Sequence, residues 1–316
     1  MTKIFVLGGT GFIGEPALIQ IASRPGVQVS ALARSQSTAK RINALGANAV
    51  IGDLSVPGPW QEAVAQADVV VHVAQPATFG QRVTASTARQ YEADRLAMDR
   101  NLFAALPTGR KTRVVYVAGN SYYGETGNGA PKDETMTPQP TGFGPYIMSA
   151  VEGVERLASD DREVIVAFPG AVYGKGSWFK QYFLDPIAAN KPVMRVSGPE
   201  HWASPILVDD CGRAIAHLAL LDTARVIGAS SRYFLVDDQP ATYNDLAVAA
   251  ARAMAKPLKS RAIPGFMLGL FAGQIIRSYM ETDSKYSNAK LRATGFEFLH
   301  PSFSTGIPSL FLKAPE

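Results

Sequence analysis

Short apolar runs alternate with amphipathic stretches along the first half of the chain. Six runs are rich in Val, Ile and Ala, and they cover residues 3–7, 27–33, 48–52, 68–74, 113–119 and 163–168. Helical patterns follow at about 13–23, 39–45, 60–66, in a long stretch ending near 106, and at 146–158. Continuous apolar runs are typical of strands buried on both faces. The alternation predicts an α/β fold with a parallel, doubly wound Rossmann sheet.

The pattern changes after Phe168. Residues 169–205 are rich in Gly, Pro and aromatic side chains. A predicted helix at 209–221, a strand at 232–236 and helices near 243–255, 266–279 and 286–294 complete the chain. We predict a dinucleotide-binding domain over 1–168, to which 206–237 returns. A smaller, mainly helical substrate domain is predicted from 169–205 and 238–316.

Composition removes several classes of function. The chain is 47% hydrophobic and 18% charged, with a net charge of +4. Its Lys and Arg residues are scattered, so we expect no nucleic-acid partner. Cys211 is the single cysteine, which excludes an internal disulfide and favours a cytoplasmic location. The histidines lack metal-ligand spacing, and no apolar stretch approaches the ~20 residues that span a bilayer. We therefore expect no metal and no stable membrane insertion.

A glycine-rich loop follows the first predicted strand. GGTGFIG opens a helix directly after that strand, with glycines at a three-residue period. Glycine tolerates the tight turn and lets a pyrophosphate approach, and the helix N-terminus offers free N–H groups. The loop therefore predicts a dinucleotide cofactor. Its candidate binding residues are Gly8, Thr10, Gly11, Phe12, Ile13 and Gly14.

The end of the second predicted strand distinguishes NADP from NAD. An acidic residue there would bind the ribose 2′-hydroxyl of NAD, but the chain has Arg34 followed by Ser35. A guanidinium suits the 2′-phosphate of NADP, so we favour NADP(H) over NAD. The alternative is a solvated arginine at a strand end. Asp53 and Leu54 follow the third strand, where Asp53 either meets the adenine or belongs to a turn.

Motifs across nearly the whole length resemble the extended short-chain dehydrogenases/reductases, the NAD(P)-dependent epimerase/dehydratase family. They are GGTGFIG, GDL, VVHVA, SYYGE, PYIMSAVE, PGAVYGKG, ILVDDCGRA and SNAKLRATGF, in the order typical of that family. The resemblance implies a small-molecule substrate and a homodimer formed through two helices. It also implies cofactor contacts at Ala74, Tyr146, Pro169, Gly170 and Val172.

The family's catalytic set is only partly present. Its members use a Ser or Thr, a Tyr and a Lys, and Tyr146 matches the tyrosine. Ala150 stands in place of the lysine, and Gly119 stands where Ser or Thr is expected. Arg95 falls near a usual asparagine, and Phe168 replaces a usual arginine. Only the tyrosine is retained.

Carbonyl reduction remains feasible with this reduced set. A phenol keeps its proton at neutral pH and can donate it, and a nearby cation would stabilise the phenolate left behind. Lys175, after the sixth strand, is a candidate for that cation, and Ser121 is a candidate for binding the substrate oxygen. The alternatives are a core tyrosine at position 146, a solvated Lys175 and ordinary loop hydrogen bonding by Ser121.

Two apolar regions bear on the substrate. The segment 266–271 is either a core helix or a lid over an apolar substrate. Aromatic residues follow Gly176 at Trp178, Phe179, Tyr182 and Phe183. Because aromatics outnumber cations in this half, we favour a small, fairly apolar substrate over a sugar nucleotide.

Several conspicuous residues have simpler interpretations. His72 lies within a buried strand and is expected to be a core histidine. Cys211 is expected to pack, and Asp209 and Asp210 suit the first turn of a helix. The YxxxK spacing of 286–290 is far in sequence from the cofactor strands, so we interpret it as structural.

Three functions fit these observations. The first is an NADP(H)-dependent oxidoreductase that reduces a carbonyl or activated alkene with Tyr146 as proton donor. The second is a non-catalytic NADP(H)-binding sensor or scaffold, which the missing lysine and Ser/Thr would suit. The third is a sugar-nucleotide epimerase or dehydratase. It fits least well, because transient alcohol oxidation depends most on the missing base.

Overall fold

The strands and helices follow the order that the sequence pattern predicts. The computed structural model describes residues 1–76, 83–222 and 230–312. The strands are β1 (Thr2–Leu7), β2 (Val27–Ala33), β3 (Asn48–Ile51), β4 (Val69–His72), β5 (Thr112–Val117), β6 (Arg162–Pro169), β7 (Ala171–Tyr173), β8 (Val193–Val196), β9 (Trp202–Ala203), β10 (Pro205–Leu207), β11 (Ser230–Leu235), β12 (Ala241–Thr242) and β13 (Ser260–Ile263).

Twelve α-helices connect these strands in the described ranges. They are α1 (Gly14–Ala22), α2 (Gln36–Ala44), α3 (Trp60–Ala65), α4 (Ala85–Phe103), α5 (Met148–Glu155), α6 (Asp185–Ala188), α7 (Val208–Leu220), α8 (Tyr243–Ala253), α9 (Gly265–Phe271), α10 (Gln274–Met280), α11 (Ala289–Ala293) and α12 (Phe303–Ser309). In the parts of the chain with described structure, each helix is too short or too polar to cross a membrane.

The central sheet has seven parallel strands in the order β11-β6-β5-β4-β1-β2-β3. The predicted doubly wound fold is therefore confirmed. The strand order reverses between β1 and β4, and in such sheets a dinucleotide lies across the carboxyl edge at that point. β11 pairs with β6, so residues 230–235 return to this sheet. The placement of the domain boundaries stays a prediction.

Hydrophobic cores cover both faces of the sheet. Ile4 and Val6 of β1 belong to the core under α1 and α7, whereas Phe5 and Leu7 belong to the core on the other face. This division follows from the alternation of side chains along a strand. Burial on both faces explains why the strand sequences are continuously apolar.

The aromatic run after Gly176 forms part of a third core. Phe179 and Phe183 are buried against β10, α8 and α12, and Trp178 packs on them. Tyr182 is exposed. These residues therefore serve packing, and they give no support to the inference of an apolar substrate.

The single helix predicted over 266–279 is wrong, because the structure has two helices there. Gly273 separates α9 from α10 with a φ of +102°. A Cβ at this position would lie 1.9 Å from the Val83 carbonyl oxygen. The close backbone approach and the left-handed φ both require glycine, so the chain breaks here.

Candidate cofactor and catalytic site

The glycine loop closes tightly between β1 and α1. Gly8 has a φ of +86°, and a Cβ there would lie 2.6 Å from the Ala74 nitrogen. A Cβ on Gly14 would lie 2.0 Å from the Gly8 carbonyl oxygen. The loop thus contacts the segment that follows β4, and no larger residue fits at these two points.

The outer side of the same loop is open. A Cβ on Gly11 would meet only the Gly8 carbonyl oxygen, at 3.3 Å. α1 begins at Gly14, and Ile13 at its N-cap provides no side-chain hydrogen bond. Thr10 and Phe12 are half-buried beside it. The first N–H groups of α1 and the open glycine surface fit the pyrophosphate of a dinucleotide.

Arg34 and Asp53 lie at the carboxyl ends of neighbouring strands, β2 and β3. Arg34 is exposed, and its side chain forms no hydrogen bond or ion pair with another described residue. Asp53 accepts hydrogen bonds from the Ser55 nitrogen at 2.8 Å and the Ser55 hydroxyl at 2.7 Å. These bonds, and then the charge of Arg34, hold the pKa of Asp53 below its ordinary value. Arg34 is therefore available for a ligand on this side.

Ser35 and Leu54 have structural contacts beside this pair. Ser35 is the N-cap of α2, and its hydroxyl accepts a hydrogen bond from the Thr38 nitrogen at 3.2 Å. Leu54 is buried in the core below. Both lie at the same edge as Arg34, where the adenosine half of a dinucleotide would bind.

Four further predicted cofactor contacts lie along the carboxyl edge beyond β1. Ala74 follows β4, and its carbonyl oxygen accepts a hydrogen bond from Arg95 Nη1 at 3.1 Å. Pro169 ends β6, and the Gly170 nitrogen donates to the Leu235 carbonyl at 3.0 Å. Val172 is buried in β7. The fold brings these residues to the predicted edge, while their contact with a cofactor stays a prediction.

Tyr146 lies in a turn that packs on Ser121. The helical turn Gly144–Tyr146 leads into α5, and a Cβ on Gly144 would lie 1.9 Å from the Ser121 carbonyl oxygen. The Thr141 nitrogen donates to that same oxygen at 3.1 Å. Glycine at 144 thus lets the tyrosine turn seat directly on the serine turn.

The surroundings of Tyr146 are apolar. Its half-buried side chain packs with Val83, Ala88 and Ile275, which come from the segment before α4, from α4 and from α10. The Tyr146 hydroxyl forms no hydrogen bond with another residue in the described ranges. Ser121 is 7% exposed, and its hydroxyl likewise has no such partner. Both hydroxyl groups are free to bind a ligand.

Lys175 has different neighbours. Its exposed ammonium lies 5.8 Å from the centre of the Phe311 ring. The glycines on either side of it pack against Phe12 of the cofactor loop. The structure therefore places Lys175 next to the glycine loop.

A small cavity lies where the family's lysine would be. Its volume is about 20 Å³, and the lining residues include Gln75, Tyr91, Arg95, Tyr116, Gly119 and Ala150. A cavity of this size has room for about one water molecule. It is formed by the segments that follow β4 and β5 together with α4 and α5.

Arg95 brings a buried positive charge to this cavity. Its side chain is held by the Tyr116 hydroxyl at 2.7 Å from Nε, by the Ala74 carbonyl at 3.1 Å from Nη1 and by the Val117 carbonyl at 3.3 Å from Nη2. Arg95 is 2% exposed. Burial opposes its charge, but Tyr116 and Asp99 outweigh that effect and raise the pKa of Arg95 further above its ordinary value.

Asp99 pairs with this arginine, and His72 contacts Asp99. Asp99 accepts a hydrogen bond from Tyr116 at 2.6 Å, and His72 Nε2 lies 3.0 Å from its other oxygen. Burial opposes ionisation of Asp99, but the bond from His72 and the charge of Arg95 hold its pKa below the ordinary value. Burial, then Arg95, lowers the pKa of His72. The cluster thus pairs one arginine cation with one carboxylate.

The family resemblance places Arg95 near a usual asparagine of the family. Its burial as a cation was not predicted. A signal was present in the sequence of α4. The buried positions include Ala88, Tyr91, Arg95, Asp99 and Leu102, at spacings of three and four residues. This period places Arg95 and Asp99 on the apolar face of the helix, where charged residues are rare unless they are paired.

The residues expected to be structural lie in structural positions. Cys211 is fully buried, which raises the pKa of its thiol. The Tyr286 hydroxyl donates to the carbonyls of Asn120 at 3.1 Å and Gly124 at 2.6 Å. Lys290 lies 4.8 Å from the centre of the Tyr233 ring. Tyr286 therefore supports the loop after β5, whereas Lys290 lies against β11.

Two curated relatives match part of the chain. One is the 4-hydroxy-2-methyl-3-oxo-4-farnesyl-3,4-dihydroquinoline-1-oxide ketoreductase of Stigmatella aurantiaca, 32% identical over 37% of this chain and 33% of the relative. The other is the decarboxylating sterol-4-alpha-carboxylate 3-dehydrogenase of Dictyostelium discoideum, 34% identical over 23% of this chain and 22% of the relative. The matches thus span a third or less of each relative.

Solved structures match over almost the full length. Human epimerase family protein SDR39U1 (isoform 2), solved with NADPH, superposes with a TM-score of 0.79 at 20% identity, covering 98% of this chain and 99% of that one. The UDP-glucuronic acid 4-epimerase of Bacillus cereus gives 0.76 at 16% identity, covering 97% and 96%. These likenesses show the fold.

A family model settles the classification. It is described as the NAD dependent epimerase/dehydratase family, and it matches residues 4–230. That range holds the glycine loop, the strand order up to β11 and the tyrosine turn. The resemblance inferred from the motifs is confirmed, and the chain belongs to the NAD dependent epimerase/dehydratase family.

Proposed function

We propose that the protein is an NADP(H)-dependent oxidoreductase that reduces a carbonyl or activated alkene of a small substrate. The observation that carries this proposal is the seating of the Tyr146 turn on the Ser121 turn at the carboxyl edge of the sheet. That packing puts the turns that carry Tyr146 and Ser121 side by side, which supports their assignment as proton donor and oxygen-binding residue. Neither hydroxyl forms a hydrogen bond with another residue in the described ranges.

The preference for NADP(H) depends on Arg34. Its unpaired guanidinium lies at the end of β2, where the 2′-phosphate of NADP would bind. The human neighbour was solved with NADPH, whereas the bacterial epimerase neighbour holds NAD. The arginine therefore decides our choice, and the neighbours are compatible with either dinucleotide.

Each residue then has a defined part in the reaction. The bound reduced nicotinamide would supply a hydride to the substrate. Tyr146 donates its phenolic proton to the carbonyl oxygen, or to the carbon of an activated alkene. Ser121 donates a hydrogen bond to the substrate oxygen and orients it. Lys175 remains a candidate for stabilising the phenolate.

The partial match to a ketoreductase supports carbonyl reduction as the direction. A non-catalytic NADP(H) sensor is the second candidate, because Ala150 and Gly119 replace two of the family's three catalytic side chains. The epimerase hypothesis has structural neighbours in its favour, yet transient alcohol oxidation depends most on the lysine that Ala150 replaces. A homodimer and a cytoplasmic location stay predictions.

The proposal is tested by titration with NADPH and NADH, followed by NADPH consumption against a panel of ketones, aldehydes and enones. We expect tight NADPH binding, weaker NADH binding and turnover of at least one panel member. Tight binding with no turnover across the panel would favour the sensor. Failure to bind either dinucleotide would overturn both.

A further inference from the structure

We propose that Arg95 of α4 supplies the cation that is missing from α5, where Ala150 replaces the lysine, and that its guanidinium binds a hydroxyl group of the ribose on the nicotinamide side of the cofactor. This inference rests on the proposed NADP(H) binding. It identifies a cofactor-binding residue on a different helix from the one that the family uses.

The position of the cavity assigns it to the nicotinamide half. Arg34 and Asp53, the candidate adenosine contacts, follow β2 and β3 on one side of the β1–β4 switch point. Gln75 and Gly119, which line the cavity, follow β4 and β5 on the other side. Because a dinucleotide crosses the edge at the switch point, its second ribose falls on the β4–β5 side.

The small residues around the cavity leave room for Arg95. A Cβ on Gly119 would make only ordinary contacts, 3.4 Å from the Ser121 hydroxyl and 3.6 Å from Ile147 Cδ1. Packing therefore does not require glycine at 119. Ala150 is buried and adds only a methyl group to the wall. Among the described residues that line this cavity, the guanidinium is the one cationic group.

Arg95 retains donors for a ligand. A guanidinium has five N–H groups. The bonds to Tyr116, Ala74 and Val117 use one N–H on each of the three nitrogens. The Tyr91 hydroxyl accepts a further hydrogen bond from Arg95, so the guanidinium keeps at least one N–H for a ligand. Ribose hydroxyl oxygens are suitable acceptors.

The residues around Arg95 stabilise the charge of its guanidinium and hold it in position. Asp99 does not line the cavity, so the carboxylate neutralises the arginine from the inner side. Tyr91 lines the cavity next to Arg95, and its hydroxyl donates to Gln75. Ala74, which accepts from Arg95, also contacts Gly8 of the cofactor loop. The cation is thereby tied to the loop that holds the pyrophosphate.

The test compares two ligands, NADPH and adenosine 2′,5′-bisphosphate, which lacks the nicotinamide half. The variant is Arg95→Met combined with Asp99→Asn, which avoids an unpaired buried carboxylate, and the control is the wild-type protein, because Asp99→Asn alone would leave Arg95 as an unpaired buried cation. We expect NADPH affinity to fall roughly 10-fold or more, as when a charged hydrogen-bond donor is removed. Affinity for the bisphosphate should stay within about twofold. Equal NADPH affinity in variant and control would overturn the inference.

Two further variants keep the test decisive if the double variant folds poorly. Arg95→Lys retains the charge but loses the fork of donors, and we expect roughly a threefold or greater loss of NADPH affinity. Ala150→Lys in the Arg95→Met background returns a cation to α5 and should restore NADPH binding. Unchanged affinity in the first, or no recovery in the second, contradicts the inference.

The outcomes separate this inference from the proposed function. If the wild-type protein fails to bind NADPH, both are overturned. If it binds NADPH and turns over a substrate while the Arg95 variants bind NADPH as well as their controls do, only the assignment of Arg95 fails.

Discussion

Ala150 and Arg95 line the same small cavity, although one belongs to α5 and the other to α4. An alanine where a lysine is expected would by itself indicate a lost active site. The arginine across the cavity changes that interpretation, because a positive charge remains at the same place in the fold. Loss of the lysine is then compatible with a working cofactor site.

Arg34→Ala should weaken NADPH binding far more than NADH binding. The guanidinium at the end of β2 forms no ion pair with a described residue, and a charged bond to the 2′-phosphate exists only with NADPH. We expect a loss of roughly 10- to 100-fold for NADPH, measured by fluorescence titration. Lys40→Ala, an exposed cation on the neighbouring helix α2, is the matched control. An equal loss of affinity for NADPH and NADH would show that Arg34 does not bind the 2′-phosphate.

Gly14→Ala should abolish dinucleotide binding and lower the melting temperature. The new Cβ would lie 2.0 Å from the Gly8 carbonyl oxygen, so the loop and the start of α1 must move apart. Gly129→Ala is the control, because no atom lies within 4 Å of its Cβ position. Calorimetry and NADPH titration measure both effects. A Gly14→Ala protein that binds NADPH normally would argue against the loop as the pyrophosphate site.

Asp237→Asn should stabilise the protein, and more so at alkaline pH. Burial, then the charges of Asp210 and Asp238, raises the pKa of the Asp237 carboxyl well above 3.8. In the unfolded chain this group loses its proton near 3.8, whereas the folded protein retains it to higher pH. The free energy of unfolding of the wild type therefore falls as pH rises from about 3.8 to the raised pKa of the folded state. The amide side chain of the Asp237→Asn variant does not ionise, so the variant does not lose this stability.

Thermal melts at about pH 5 and about pH 8 check this prediction. The gain in melting temperature of Asp237→Asn over the wild type should be larger at the higher pH. Asp185→Asn, an exposed carboxylate paired with Lys180, gives a comparison without a buried carboxyl. A gain that is the same at both pH values would mean that Asp237 does not stay protonated.

Replacing Phe266 and Phe271 by serine should raise the KM for apolar substrates while leaving NADPH affinity unchanged. These side chains are 65% and 68% exposed on α9, which is next to α10. α10 contacts the tyrosine loop, since the Gly142 nitrogen donates to the Ser278 hydroxyl at 3.3 Å. Leu299→Ser, equally exposed elsewhere, is the control. An unchanged KM would show that α9 is no lid.

The sequence alone predicts the sheet well for a physical reason. Strands buried on both faces must be continuously apolar, and β2 was predicted with the bounds that the structure shows. The break between α9 and α10 was missed, because its cause is the approach of the Val83 carbonyl to Gly273. That contact joins residues far apart in sequence. The local sequence pattern therefore cannot predict this contact.

In the candidate site, too, local features could be predicted from the sequence and long-range contacts could not. The glycine loop is local, so its residues could be predicted from spacing. The cation at the cavity depends on Tyr116 from β5 and His72 from β4, which meet Arg95 and Asp99 only in the folded protein. Spacing on α4 could indicate a buried charge, but it could not show which cavity the charge enters.

The most direct test of the account is turnover by Tyr146→Phe on whichever substrate the panel identifies. Tyr182→Phe, an exposed tyrosine far from the cofactor loop in sequence, serves as the matched control. The account predicts that Tyr146→Phe loses roughly 100-fold or more of kcat, while its NADPH affinity stays within a few-fold of wild type. Unchanged turnover in Tyr146→Phe would contradict the assignment of the proton donor and with it the proposed reaction.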